Sequence, residues 1–530
     1  VAKFNPKRTG ASPAGGSQTT NKEGAPAYTL SKKMELYTAA VTSTLSDNFY
    51  ESSDDRVERI RNLVSQCNPV FVAKLAVYTR EQMYLRSMPL VLTVELAKVH
   101  RGDNLVSKLT GRVVKRVDEI TELLAYYQLA NQREGTKKLN KLSKQIKVGL
   151  GIAFNKFDEY QFSKYDRDGE VSLKDALFLV HPKRSTPENK ELFDKIIKDE
   201  LATPYTWETE LSKFGQQKFQ SDEEKKAALK ARWEEIIDSG KLGYMALLRN
   251  LRNILEAGVS KQHIAKVTQR LSDNREVANS KQLPFRFLSA YKVLVEPNEK
   301  HPVKLHSFSA PAILEALEEA VKASIVNLAS FGLQDDIIIA IDTSSSMSSP
   351  ISQKSSIRNY EVGMILGMIL QYKCKSVQTG IFGNTWKFIK MPKEQILANT
   401  LETAHRIGEV GHSTNGWLVP EDLLEKKIVA NKIMIFTDCQ LWDSTSDDYI
   451  VGSHRSSQTH NFKKSWHAYK KFSPNTRLYL FDVSGYGDTP ISTAGKDVHL
   501  IAGWSDKVFG VLEAIENGSS ALAQIEAIDL

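Results

Sequence analysis

The chain has 530 residues, enough for two to four domains at a typical ~100–200 residues each, and enough to bury cores without covalent staples. Its 41% hydrophobic and 25% charged residues are those of an ordinary globular protein and exclude a wholly disordered one. Three scattered cysteines (Cys67, Cys374, Cys439) and no CxxC motif speak against a disulfide framework or a structural zinc. Val1 to Ala27 lacks the apolar stretch of a signal peptide. The longest apolar runs, such as Ile337–Ile341, fall far short of the ~20 residues of a membrane span. The expectation is a reduced, soluble, cytoplasmic protein.

The net charge of +8 is unevenly spread. Residues 1–300 carry 50 Lys+Arg against 38 Asp+Glu, a balance of +12, whereas residues 301–530 carry 21 against 25, a balance of −4. A polyanionic partner for the front of the chain follows from that asymmetry, with a merely solubilising surface as the plain alternative.

Residues 1–28, with their GASPAGGSQTT stretch, read as a flexible tail. Residues 29–331 read as helical almost throughout. Asn68-Pro69 is a helix start, Asn as cap and Pro in the first turn, followed by Phe71, Leu75 and Tyr78 on one face. Similar stripes recur at Leu123, Leu124 and Tyr127, at Leu139, Leu142, Ile146 and Leu150, and at Leu247, Leu248, Leu251 and Leu255. So long a helical stretch without a strict period is best buried as a degenerate HEAT-like array of helix pairs. From residue 332 to 530 the pattern changes. Asp336–Ile341, Val377–Phe382, Lys432–Thr437, Arg477–Val483 and Val498–Ala502 are strand-like runs separated by helical stretches, which predicts a doubly wound α/β domain.

The first of these strands runs into Asp342-Thr-Ser344-Ser-Ser346. In open α/β sheets ligands bind beyond the carboxyl ends of strands, and an Asp with two alternate hydroxyls offers hard oxygen donors suited to Mg²⁺. Thr414, in Gly411-His-Ser-Thr-Asn-Gly416, and Asp438, after Ile433–Thr437, stand at equivalent edges. For a lone Ser, helix capping is the commoner role; the ordered set favours a metal site. The set resembles the metal-ion-dependent adhesion site of von Willebrand factor A domains over roughly the last 200 residues. That resemblance implies Ser344 and Ser346 as direct ligands, Asp342, Thr414 and Asp438 as direct or water-mediated ones, and a partner's carboxylate completing the shell. Ser345 and Ser413 stand where the family commonly has Gly. Ser344 occupies the place of the second Asp of haloacid-dehalogenase-type phosphatases, and no GxxxxGK[ST] or GxSxG motif is present, so no catalysis is expected.

In the helical half, Lys108, Arg112, Lys115 and Arg116 fall at i, i+4, i+7 and i+8, and Lys137, Lys141 and Lys144 share a face opposite Leu139, Leu142 and Ile146. Either face alone is ordinarily a solvated one; the pair, in a stretch of +10 (residues 1–150, 24 against 14), points to phosphate binding. Lys164-Tyr-Asp-Arg-Asp-Gly-Glu170 imitates part of an EF-hand loop, but a cation at its first ligand position makes it a turn between helices. Arg249 and Asn250, in Met245-Ala-Leu-Leu-Arg-Asn-Leu251, fit either packing between helical layers or contact with RNA.

Phe71-Val-Ala-Lys-Leu-Ala-Val-Tyr-Thr-Arg80, Ala176-Leu-Phe-Leu-Val-His181-Pro-Lys183, Met245–Leu251 and the C-terminal A-type domain together resemble the Ro autoantigen (TROVE domain) family, its bacterial Ro members above all. The resemblance implies an all-α HEAT-like ring closed by the A domain. Single-stranded 3′ ends of misfolded RNA would enter its hole, and small noncoding Y RNAs would bind its basic outer surface. His181, with Lys164 and Arg167 in the preceding turn, matches positions that contact Y RNA. The resemblance further implies a monomeric, non-catalytic scaffold, partnered in bacteria by an exoribonuclease such as polynucleotide phosphorylase. The contrasting expectation is a metal-dependent, adhesion-type protein-interaction module whose basic surface is incidental.

Overall fold

The computed structural model describes residues 17–43, 45, 50–131, 142–166, 169–296, 309–325, 335–352, 355–444 and 461–530. Helices dominate up to residue 325 and a mixed sheet follows, which is the two-part architecture expected. Nine strands are described: β1 (Gln18–Thr20), β2 (Pro26–Thr29), β3 (Asp336–Asp342), β4 (Ser376–Phe382), β5 (Trp386–Ile389), β6 (Lys432–Thr437), β7 (Arg477–Asp482), β8 (Asp488–Thr489) and β9 (Val498–Ala502). The main sheet has the order β5-β4-β3-β6-β7-β9, with β5 antiparallel and the other neighbours parallel. The β-branched and aromatic runs of β3, β6 and β7 are buried on both faces, as parallel strands covered by helices must be. The helix Asn359–Lys373 lies so close on the sheet that a Cβ at Gly367 would stand 3.2 Å from Ile339 Cγ2.

In the helical half local signals operate as the sequence predicts. Asn68 caps the helix Pro69–Glu81, its Oδ1 accepting from the amides of Val70 and Phe71. The helices bury their apolar residues against one another, often skipping the next helix in the chain. The helix Leu105–Val113 lies against Lys144–Phe154, and Tyr244–Glu256 against Pro284–Val295. Both ends of this array rest on the α/β domain. At the front, the Tyr37 hydroxyl donates to the Ala502 carbonyl of β9 (3.0 Å), and the buried Arg56 donates to the Ser484 carbonyl (2.7 Å). At the back, Glu318, in the helix Ala310–Ser324, accepts from the amides of Ile396, Leu397 and Ala398 (2.9–3.1 Å). Lys281 also lies 5.6 Å over the Tyr84 ring, joining the two ends of the array. The chain therefore closes on itself.

Two expectations are corrected. Within the tail predicted to residue 28, residues 17–28 are built into a sheet: β1 pairs with β2, and β2 pairs antiparallel with β8 of the α/β domain. Ala25, Ala27, Tyr28 and Leu30 have apolar surface to bury, and all four are buried here. The basic face predicted as one helix through Arg116 is interrupted, because that helix ends at Val113. The Glu119 carboxylate of the next helix accepts from the amides of Lys115 (2.8 Å) and Arg116 (3.1 Å) and so fixes a turn there. The predicted boundary at residues 331–332 lies outside the described residues.

Candidate metal centre and nucleic-acid interface

β3 and β6 are neighbours, so their ends bring Asp342 and Asp438 together. Asp342 is fully buried; its Oδ1 accepts from the Ser344 amide (2.9 Å) and its Oδ2 from the Thr437 hydroxyl (2.6 Å). Ser344 Oγ and Ser346 Oγ lie 3.2 Å apart. Asp438 Oδ1 accepts from the Gln440 amide (3.1 Å), whereas its buried Oδ2 has no hydrogen-bond partner among the described residues. Thr414 is buried beside them, its hydroxyl accepting from the Trp442 amide (3.1 Å). The loop carrying Thr414 is pinned to the site: Asn384 Oδ1 accepts from the amides of His412 (2.8 Å) and Ser413 (3.2 Å), and the His412 carbonyl accepts from the Ser345 amide (2.9 Å).

Burial raises the Asp342 carboxyl to about 6, and burial together with the Asp342 charge raises Asp438 well above its ordinary range. Asp482, at the end of β7, is also raised to about 6 by burial, and its Oδ2 likewise has no hydrogen-bond partner among the described residues. Carboxylates crowded in this way, with unused oxygens, are matched by a hard cation. Among the described residues no group of three or more His, Cys, Asp or Glu side chains forms a ligand set, so the centre depends on the hydroxyls of Ser344, Ser346 and Thr414. The donor set fits a divalent ion of the Mg²⁺ class. Asp482 was missed from the sequence, although it ends a strand just as Asp438 follows one.

Gly411 holds the geometry of the loop. Its φ is +75°, and a Cβ there would lie 2.0 Å from Asn384 Oδ1. Gly411→Ala is expected to cost roughly 2–4 kcal/mol through the left-handed backbone and the clash. Urea unfolding should show the loss. An unchanged midpoint would show that the Asn384 bracket does not hold the loop.

The basic residues divide into paired and unpaired groups. Arg112 pairs with Glu81 (2.9 Å) and also donates to the Asp529 carbonyl, and Lys115 pairs with the same Glu81 (2.8 Å). Arg112 is the main cause that holds Glu81 down to about 2. Two of the predicted cations are thus largely spent on one carboxylate. Lys144 is exposed at the start of its helix and forms no ion pair among the described residues; Val148 (48% exposed) and Ile152 (51% exposed) continue its face. His181 ends the helix Leu173–Val180 in a left-handed conformation (φ 49°) and is exposed, with the following Pro182 packed against Gly151 of the Lys144 helix. Lys144, Val148, Ile152 and His181 therefore share one exposed neighbourhood. Lys164, also exposed, stands 5.7 Å from the rings of Tyr160 and Tyr165, and Arg116 lies 4.3 Å over Tyr165. Lys137, Lys141 and Arg167 lie outside the described residues.

The two residues of the Met245 segment separate. Asn250 is buried, donating to the Ala246 carbonyl (2.9 Å) and accepting from Asn253 (2.9 Å). It serves the helix packing and, being buried, does not offer RNA the contact expected of it. Arg249 is exposed, and Arg286 on the packed neighbouring helix is near enough to repel it. Neither forms an ion pair among the described residues. Two unneutralised guanidinium groups side by side suit a polyanion.

The TROVE domain model matches residues 25–232 and 199–322, more than half of the chain. The chain belongs to the TROVE domain family. Curated relatives include the telomerase protein component 1 of Rattus norvegicus, 26% identical over 336 residues, and that of Mus musculus, 25% identical over 363 residues. The alignments cover 50% and 53% of this chain but 13% of each relative, so the chain spans a small part of those proteins. The fold is similar to the crystal structure of the Deinococcus radiodurans RO (RSR) protein, with a TM-score of 0.58 and 15% identity over 92% of this chain and 100% of that one. Among the described residues no helix is long and apolar enough to cross a membrane.

Proposed function

We propose that this TROVE family member is a cytoplasmic, non-catalytic RNA scaffold. It would bind small noncoding Y RNA on its outer basic surface and single-stranded 3′ ends of misfolded or structured RNA in the ring, presenting RNA to an exoribonuclease of the polynucleotide phosphorylase class. The observation that supports this most is the set of exposed cations that form no ion pair among the described residues, Lys144, Arg249 and Arg286, on an array whose ends meet on the α/β domain. Phosphate contacts would give most of the affinity. Tyr160, Tyr165 and the exposed apolar face of the Lys144 helix would offer bases surfaces to stack on. His181 and Lys164 would contribute beside them.

In the same reading the α/β domain holds a divalent cation, Mg²⁺ by its donor chemistry. Ser344 and Ser346 would hold it through hydroxyls, with Asp342, Thr414 and Asp438 direct or water-mediated. The ion would supply charge compensation for the buried aspartates.

The test is a binding titration comparing a hairpin bearing a 3′ single-stranded tail with a blunt duplex of the same stem. The tailed RNA should bind at least about ten-fold more tightly, a difference of about 1.4 kcal/mol. Equal affinity would sink the threaded-ring mechanism.

A further inference from the structure

The N-terminal arm crosses the candidate metal centre. The Asn21 side-chain amide donates to the Leu441 carbonyl (3.0 Å), and the Lys22 amide donates to Gln440 Oε1 (2.7 Å), two residues beyond Asp438. Asn21 Oδ1 accepts from the amides of Glu23 (3.1 Å) and Ala25 (2.9 Å), which closes a tight turn around Glu23. The Tyr50 hydroxyl donates to the Glu23 carboxylate, and the Tyr50 ring packs edge-on against Tyr486 at 5.3 Å. The same hydroxyl pairs with Ser346, and Ser346 faces Asp438, the residue with the unused buried oxygen. A continuous polar path thus runs from Asp438 through Ser346 and Tyr50 to Glu23.

We infer that the chain supplies its own acid to the metal centre: Tyr50 and Glu23 cover its open side, and binding of a divalent cation fastens the N-terminal arm to the α/β domain. This rests on the metal reading proposed above. In an adhesion-type centre the open side receives a carboxylate from a partner; here Glu23 already brings a negative charge to within one hydroxyl of Ser346. Such an ion staples two distant parts of the chain, with the arm's strand on β8 as its second attachment. Capture of an acidic partner is thereby disfavoured, because the partner would have to displace the arm. Tyr50 and Glu23 are positioning residues in this scheme, since the hydroxyls and aspartates hold the ion.

The test uses the full chain and Mg²⁺ alone. Calorimetric titration gives the affinity, and amide hydrogen exchange over residues 21–30 reports the arm. In the wild type, saturating Mg²⁺ should slow exchange in the arm at least about ten-fold, and Glu23→Gln should weaken Mg²⁺ binding by about ten-fold. Tyr50→Phe, which keeps the ring packing, should leave the fold intact and remove the Mg²⁺ dependence of arm exchange. Asp342→Ala should abolish binding. If Mg²⁺ binds the wild type, is lost in Asp342→Ala, yet is unchanged in Glu23→Gln and Tyr50→Phe with arm exchange indifferent to Mg²⁺, the metal reading stands and the latch is overturned. If the wild type binds no Mg²⁺, the metal reading fails and the latch falls with it. Mg²⁺-dependent capture of an acidic peptide by a wild-type protein whose arm stays protected would also overturn it.

Discussion

Raising KCl from about 50 mM to about 200 mM is expected to weaken binding of a tailed RNA by roughly 300-fold, for six phosphate contacts at a slope of about −0.7 per contact on single-stranded nucleic acid. The expectation follows from where the charge lies. The +12 of residues 1–300 is not all available. Arg112 and Lys115 share Glu81, and Arg116 pairs with Asp118 at 2.9 Å. Lys144, Arg249 and Arg286 form no ion pair among the described residues. Reversal of Lys144 to Glu should flatten the salt slope by about one contact, and Arg249→Ala should do the same. Arg112→Ala should change the slope less, because the wild-type side chain already answers an internal carboxylate. Fluorescence anisotropy at four salt concentrations resolves these slopes. A wild-type slope near zero would remove electrostatics, and with it the scaffold reading, from the account of RNA binding.

That division between paired and unpaired cations shows where sequence reading stops. Features encoded locally were legible. The Asn68-Pro69 cap needs only its own helix, and β3, β6 and β7 announce themselves as β-branched or aromatic runs because both faces of a parallel sheet are covered. The pairing of Asp342 with Asp438 was legible too, because neighbouring parallel strands end at the same sheet edge. What escaped depends on distant partners. Val113 ends its helix because Glu119 holds the following amides. The arm at residues 17–30 orders only against an edge strand more than 450 residues away. Glu23 and Tyr50 carry no motif; they reach the metal centre because the arm and the front of the array both rest on the α/β domain. Asn250 has the same sequence context as Arg249, and one step of helical phase separates a buried amide from an exposed guanidinium.

Replacing Glu318 should loosen the junction that closes the ring, at a cost of roughly 3–5 kcal/mol for Glu318→Ala. The helix Ile396–His405 has no side-chain cap from its own flanking residue Gln395, and Glu318 reaches across from the helical array to take its first amides. A carboxylate at a helix N-terminus is favoured by the exposed amides and by the helix dipole. Truncation leaves the buried N–H groups of Ile396 and Leu397 and the half-buried one of Ala398 without acceptors, each costing about 1–3 kcal/mol before any relief from water. Glu318→Gln retains one acceptor oxygen but turns an amide N–H₂ toward other donors, so an intermediate loss is expected. Glu319→Ala is the control: that residue is 55% exposed and pairs only with Lys322 (2.8 Å) among the described residues, so its removal should stay within about 0.5 kcal/mol of wild type. Scanning calorimetry is the suitable measurement, because a chain of two architectures need not unfold in one step. Glu318→Ala should separate the unfolding of the helical array from that of the α/β domain, whereas wild type and Glu319→Ala should keep them coupled. The consequence reaches RNA as well: a ring whose end is poorly held should release a threaded tail faster, so Glu318→Ala should raise the dissociation rate of tailed RNA more than that of a blunt duplex. If both RNAs leave at wild-type rates from a protein whose two halves unfold separately, closure of the ring does not retain the tail.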